Sequence, residues 1–406
     1  MTQNPRQWTL KELALAGEIE FGDGYRTKRS ELGPSGFPIL RVAEVLDGKI
    51  SPVYSEFVRP EFRASMKQKV ARPGDIVLTT KGTVGRVAMI PKESAEFSYS
   101  PQVCYFRITG ENQVISKYLY YWFRSDAFRV QAARLKGQTD MADYLNLADI
   151  GSLKVALPDL QSQRAITEVL GALDKKIAVN EQIAETAFTL AKAHMGVVEY
   201  AEPLCISDVA DVFDGPHATP KKTTEGPWFL SISSLKGGVL DLAESAHLAE
   251  EDFPRWTRRV QPSKGDVLFS YETRLGEAAL MPPDVRASLG RRMGLLRPKP
   301  GAVRGALLLH AYLSPHFQEE IRRRTVHGAT VDRIPLKEMQ TWPITLPSAG
   351  VREKLSDVLE TLHASIEQAA LENRTLANLR DTLIPQLITG KIRVKDAVRV
   401  VEDVAS

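Results

Sequence analysis

Gly48-Lys49-Ile50 and Gly390-Lys391-Ile392 contain the Gly-Lys step of a phosphate-binding loop, but isoleucine follows in both. A Walker loop needs Ser or Thr at that position to hold Mg, so neither string supplies it. Met281-Pro282-Pro283-Asp284 comes nearest to the Asp/Asn-Pro-Pro-aromatic box that holds a flipped adenine in amino-methyltransferases, and its order is wrong. Pro158-Asp159 followed by Asp174-Lys175-Lys176 loosely matches a nuclease pattern. That chemistry needs carboxylates on adjacent strands around a metal, whereas Asp174 falls inside a helical heptad run. The histidines (194, 217, 247, 310, 316, 327 and 363) have no metal-ligand spacing, and His310 and His316 fall on opposite sides of a helix. Cys104 and Cys205 cannot build a disulfide framework or a four-thiolate site, and read as packing residues. No catalytic residue and no metal site is expected. The residue types describe a binder.

At 406 residues the chain exceeds what one core needs, so two or more domains are expected. Its 43% hydrophobic and 25% charged residues fit a globular protein, and no apolar run is long enough for a membrane span. Met1 to Leu10 lacks the apolar stretch of a secretory signal, so a reducing cytoplasm is the expected location. The net charge is only +3, but residues 1–155 carry 22 Lys and Arg against 17 Asp and Glu. That distribution permits polyanion binding.

The chain repeats itself. Gly74-Asp75-Ile76-Val77-Leu78 returns as Gly265-Asp266-Val267-Leu268-Phe269, an offset of 191. Gly85 and Gly276, Gly137 and Gly328, and Asp23-Gly24 and Asp214-Gly215 keep the same offset, while Leu157-Pro158 meets Leu346-Pro347 at 189. Two tandem copies of one unit follow from this series. Strands are predicted over 37–42, 75–80 and 103–108, with counterparts over 228–232 and 266–271; helices are predicted over 118–135 and 310–324.

A helical segment closes each copy. Leu170, Ile177, Ala184 and Ala191 share one seam position, and Leu173, Asn180, Ala187 and His194 the other. Leu359, Ile366, Asn373 and Arg380 pair likewise with Leu362, Ala369, Leu376 and Leu383. Residues 160–195 as one helix would run about 54 Å at ~1.5 Å per residue, more than one domain covers. The two helices are therefore expected to pair, with Asn180 and Asn373 fixing register. The predicted fold class is α+β, with mixed α/β globules over 1–157 and 199–346 and helical segments over 158–198 and 347–406. The helices would pair as an antiparallel coiled-coil spacer.

This organisation resembles the specificity subunit of type I restriction–modification systems over nearly the whole chain. The residues from Gly74 to Arg86 look like that family's central target-recognition phrase. Leu157-Pro158-Asp159-Leu160-Gln161-Ser162-Gln163-Arg164, running into Ala172-Leu173-Asp174-Lys175-Lys176-Ile177, resembles its helical region, and Leu379 to Ile392 its C-terminal ending. Copy two departs from the pattern, with Gly350-Val351-Arg352-Glu353 where copy one has Gln161 to Arg164. The resemblance implies a non-catalytic subunit whose two target-recognition domains read an asymmetric, bipartite site in double-stranded DNA. Two methyltransferase subunits would dock on it, and restriction/translocase subunits through them. S-adenosylmethionine, ATP and Mg would be bound by those partners, with no cofactor in this chain. The competing readings are a drifted single-chain DNA methyltransferase or nuclease, and a helical adaptor without a DNA role.

If DNA is the ligand, base edges need hydrogen-bonding side chains and phosphates need Lys or Arg. Three places in each copy offer both. The first is the Gly-rich loop with Tyr25, Arg26, Lys28 and Arg29, matched by His217, Thr219, Lys221 and Lys222, where Asp214-Gly215-Pro216-His217 resembles a loop common in the family. The second holds Lys81, Thr83 and Arg86, matched by Tyr271, Thr273 and Arg274. The third is Gln138 and Thr139, matched by Thr330, with Arg291 and Arg292 as a further positioning patch. Solvated turns are the plain alternative for each, and Arg322-Arg323-Arg324 is expected to be a solvated helix end.

Overall fold

A computed structural model describes residues 5–110, 112–135, 137–138, 143–328 and 331–405. Contacts divide the chain into two units, one formed by residues up to 177 together with those from 375 onward, the other by 178–374. In the first unit an antiparallel sheet is built from β1 (Ile19–Asp23), β2 (Ile76–Thr79), β3 (Val87–Met89) and β4 (Val103–Ile108), ordered β1-β4-β2-β3. All four residues of β2 are buried, which is why its first three, Ile76, Val77 and Leu78, are apolar without alternation. Ile76, Leu78 and Phe106 pack on one side with Tyr118, Trp122 and Phe128, while Val77, Val103 and Tyr105 pack on the other with Leu40, Phe97 and Tyr99. The period-2 alternation of strand side chains thus feeds two apolar layers.

The second unit repeats the design. Its strands β5 (Ala210–Asp214), β6 (Val267–Ser270), β7 (Ala278–Leu280) and β8 (Met293–Pro298) are ordered β5-β8-β6-β7. Val267, Phe269 and Leu296 pack with Leu307, Tyr312 and Trp342, and Leu268 and Leu295 with Leu230 and Leu289.

A buried ion pair recurs as well. Arg107 Nε and Nη2 donate to Asp75 Oδ1 and Oδ2 at 2.9 and 2.6 Å, with side chains 5% and 2% exposed. Arg297 and Asp266 repeat both distances, but Arg297 is 36% exposed. Burial alone would pull the Arg107 guanidinium down; the hydrogen bonds and charge of Asp75 outweigh it and hold it above its usual value.

Several expected boundaries shift. The single helix predicted over 118–135 is two, Ser116–Phe123 and Asp126–Leu135, because Ser125 Oγ folds back to donate to Trp122 O at 2.7 Å. The one predicted over 310–324 is likewise Gly305–Tyr312 and Pro315–Arg324. Pro315 has no N–H to continue the first helix, and Ser314 caps the second. The strand predicted over 37–42 stops at Leu40, where the Arg41 N–H turns to the Glu44 carboxylate. The strand predicted over 228–232 starts earlier and spans Lys222–Phe229. Cys104 is buried as expected, but Cys205 is exposed.

The long helices are α1 (Leu160–Gly196) and α2 (Ala349–Ile388). In the first unit Leu170 and Leu173 share a core with Leu376 and Leu383, and Arg380 Nη1 donates to Asp174 Oδ1 at 2.8 Å. In the second, Asn180 Nδ2 donates to Glu372 Oε2 at 2.8 Å and Phe188 meets His363, so one helix ascends as the other descends. The predicted seam drifts at its end: His194 is half-buried and Met195 takes the buried place. An undistorted helix drifts in this way against a 3.5-residue repeat.

Candidate nucleic-acid interface

Strand register decides which loops meet. In the first unit Asp23 lies opposite Cys104, and Thr79 opposite Val103, so the ends of β1 and β2 and the start of β4 share one edge of the sheet. Tyr25 N donates to Tyr99 O at 2.6 Å and Thr80 N to Gln102 O at 2.9 Å, drawing the loops together. The short hairpin of Gly137–Gln138 with Asp143–Tyr144 joins them: Lys81 bridges to Tyr144, and Leu145 N donates to Thr80 O at 2.9 Å. The first and second predicted places, and the backbone of Gln138 from the third, therefore converge. Thr139 lies outside the described residues.

The second unit converges the same way. Asp214 lies opposite Gly294 and Ser270 opposite Met293, with Gly215 N donating to Met293 O at 2.8 Å and Tyr271 N to Arg292 O at 3.1 Å. Glu272 bridges to Arg333, which brings the segment after the helices alongside. Thr330 lies outside the described residues.

Side-chain placement divides the predicted residues. Arg26, Lys28, Arg29, Lys81, Thr83, His217, Thr219, Lys221, Lys222, Thr273 and Arg291 are exposed. Others turn inward. Tyr25 is half-buried, its hydroxyl 3.1 Å from Glu31 Oε2 and 3.0 Å from Ser65 Oγ. Arg86 is half-buried and reaches Val45 O at 3.5 Å. Arg274 donates to Ile232 O at 3.2 Å and pairs with Glu277 at 3.4 Å, and Arg292 pairs with Glu272 at 2.9 Å. Tyr271 lies deeper than a groove-facing residue was expected to. It is 6% exposed and belongs to the unit's core, where burial first and the Glu272 charge second raise its hydroxyl pKa.

Backbone strain marks the same loop. Gly82 has φ 76°, and its counterpart in copy two is Thr273 at φ 72°, a left-handed conformation that costs a non-glycine residue about 1–3 kcal/mol. Gly24 and Gly215 are fixed by space: a Cβ on Gly24 would strike the carbonyls of Tyr99 and Ser100, and one on Gly215 those of Gly290 and Met293.

Sequence reasoning missed the residues that hold these loops. Lys69 Nζ donates to Asp23 Oδ1 at 3.0 Å and Gly24 O at 2.7 Å, and Arg259 Nη1 to Asp214 Oδ2 at 2.6 Å. Lys69 and Arg259 are 190 apart, not 191, so extending the repeat with a one-residue slip would have found them. Gln163 is fully buried; it accepts from Ile115 N at 3.0 Å and donates to Gln113 O and Pro158 O at 2.8 and 2.9 Å. Arg352 stands in its place and keeps one of these bonds, donating to Pro347 O at 3.1 Å.

The carboxylates of the loose nuclease pattern are occupied otherwise. Asp159 caps α1 by accepting from Ser162 N at 2.9 Å, and Asp174 accepts from Tyr121 and Arg380. The Arg322–Arg324 run is paired with Glu319 and Glu320 on its own helix.

A family described as Type I restriction modification DNA specificity domain matches residues 5–187. The type I restriction enzyme MjaIX specificity subunit of Methanocaldococcus jannaschii is 19% identical over 422 residues, covering 97% of this chain and 95% of that one. The EcoBI specificity subunit of Escherichia coli is 27% identical over 216 residues, 53% of this chain and 42% of that one. The crystal structure of a type I restriction-modification S subunit from M. genitalium shares the fold, with a TM-score of 0.55 at 14% identity over 95% and 96% of the two chains.

Proposed function

We propose that this chain, which carries a type I restriction modification DNA specificity domain and resembles type I specificity subunits over nearly its whole length, supplies the DNA sequence specificity of such a complex. The observation that carries this reading is the duplicated convergence of exposed, cation-bearing loops at one edge of the same sheet in both units. Arg26, Lys28, Arg29 and Lys81 would serve the first unit, and His217, Lys221, Lys222, Thr273 and Arg291 the second. Cations would hold phosphates, and short polar side chains would read base edges. The chain itself performs no methylation, cleavage or ATP hydrolysis in this reading. Methyltransferase subunits bring S-adenosylmethionine, restriction subunits bring ATP and Mg, and the complex acts in the cytoplasm.

Because the loops differ, Lys81 against Glu272 and Tyr25 against Pro216, the two blocks read should differ and the site should be asymmetric. Both units meet one face of the duplex when block centres lie about one helical turn, ~34–36 Å, apart. Methylome sequencing of cells with and without the gene, and with residues 1–155 exchanged for those of a homologue, tests this. A gapped two-part motif is expected, with the exchange altering one block. A continuous palindrome, or both blocks changing together, overturns it.

A further inference from the structure

The second unit has a cleft of 460 Å³ beside the Asp214-Gly215 turn, lined among others by Pro216, His217, Arg255, Trp256, Arg258 and Arg259. Arg259 is matched by Asp214 at 2.6 Å, and the same carboxylate lies 3.3 Å from His217 Nε2. Arg255 and Arg258 are exposed, and among the described residues neither has an ion-pair partner. The acidic run Glu250-Glu251-Asp252 precedes them, but none of the three lines the cleft, and Glu250 is paired with Arg286. The cleft therefore keeps the charge of two uncompensated guanidinium groups.

The first unit closes the equivalent place. Pro216 corresponds to Tyr25 at the 191 offset, and Arg255 to Ser65 at the 190 offset that also relates Arg259 to Lys69. Tyr25 and Ser65 are joined by a 3.0 Å hydrogen bond, and the tyrosine ring packs with Ile39 and Met66. Where copy one puts a ring and a hydroxyl, copy two leaves an opening rimmed by arginines. Planar, always-charged guanidinium groups bind a phosphate through paired N–H donors.

We propose that this cleft seats a backbone phosphate of the DNA next to the block read by the second unit, held by Arg255 and Arg258, with the Arg259–Asp214 pair as its fixed wall. The proposal rests on the DNA-reading function above and adds an asymmetry: the second unit grips the backbone where the first has the Tyr25–Ser65 pair.

The test is salt-dependent binding of the full chain, in complex with its methyltransferase subunits, to a duplex bearing the methylated motif and to a scrambled duplex. R255A/R258A should weaken binding to both duplexes and lower the slope of log K against log salt by about one for each phosphate that is no longer neutralised. The methylated motif should stay the same. R255K/R258K, which keeps the charges, should retain most of the slope, and S65A/Q68A in the first unit should leave it unchanged. An unaltered slope in R255A/R258A, with the wild-type complex still preferring its motif, overturns the cleft and leaves the function standing. A changed motif assigns the arginines to base edges and overturns the phosphate. If the wild-type complex shows no preference between duplexes, the function reading itself fails and the cleft with it.

Discussion

His310 and His363 face each other inside the second unit, Nε2 to Nε2 at 3.0 Å, each 3% exposed. One ring must donate and the other accept, so the bond is lost once both rings are protonated, and burial opposes charging either of them. Burial, then the neighbouring His363 and Lys192, pulls His310 from 6.5 to about 3, and burial pulls His363 to about 4. A histidine whose folded pKa lies below its unfolded value is stabilising above the unfolded value, and the contribution is lost as pH falls towards the folded one. The second unit should therefore lose stability as pH drops from about 6.5 to about 3, through the folded values of His363 and then His310. Denaturant midpoints measured across that range check it. Replacing both rings, H310L/H363L, should flatten the fall, and an equally steep fall in that variant would remove the pair as its cause. None of this was legible in the sequence. The partners lie 53 residues apart, and their meeting depends on how α2 packs. Arg107 and Arg297 escaped for the same reason: each pairs with an aspartate about thirty residues upstream, brought close only by the order of strands.

At the level of elements, the heptads were legible because their period is a property of the chain alone. Leu170, Leu173, Ala187 and Ala191 are all buried, as the seam requires. L173D would place a charge where the side chain is 2% exposed, at a cost of several kcal/mol, roughly the penalty of an unpaired buried charge. Hydrogen exchange should show the first unit opening more readily, while the second keeps its protection. Unchanged exchange in the first unit would argue against the seam. Loop convergence was only partly legible. The repeat showed which loops correspond, but their arrival at one sheet edge needs the β1-β4-β2-β3 register, which spacing does not encode. The helix breaks divide in the same way: Pro315 announces its own, whereas the break at Ser125 rests on a side-chain bond back to Trp122 O that no local rule demands.

On the scale of the molecule, the first unit is assembled from two separate stretches of chain. Leu376, Leu383, Ile384, Leu387, Ile388 and Ala397 are buried in the same core as Trp122 and Leu173. Each large core side chain removed costs about 2–5 kcal/mol, and a domain has only about 5–15 kcal/mol in total. A chain stopped after Arg374 should thus leave residues 5–157 open to proteolysis while 178–374 resists digestion. A resistant first unit in that truncation would overturn the shared core. The same composition has a consequence during synthesis. Domains ordinarily fold in the order in which they leave the ribosome. Here the stretch that forms the second unit, 178–374, is continuous and leaves the ribosome ahead of 375–406. The unit begun first is finished last. Until those last residues emerge, Leu170 and Leu173 lack the partners that complete their core, so it is the earlier half of the nascent chain, not the later one, that stays unfinished.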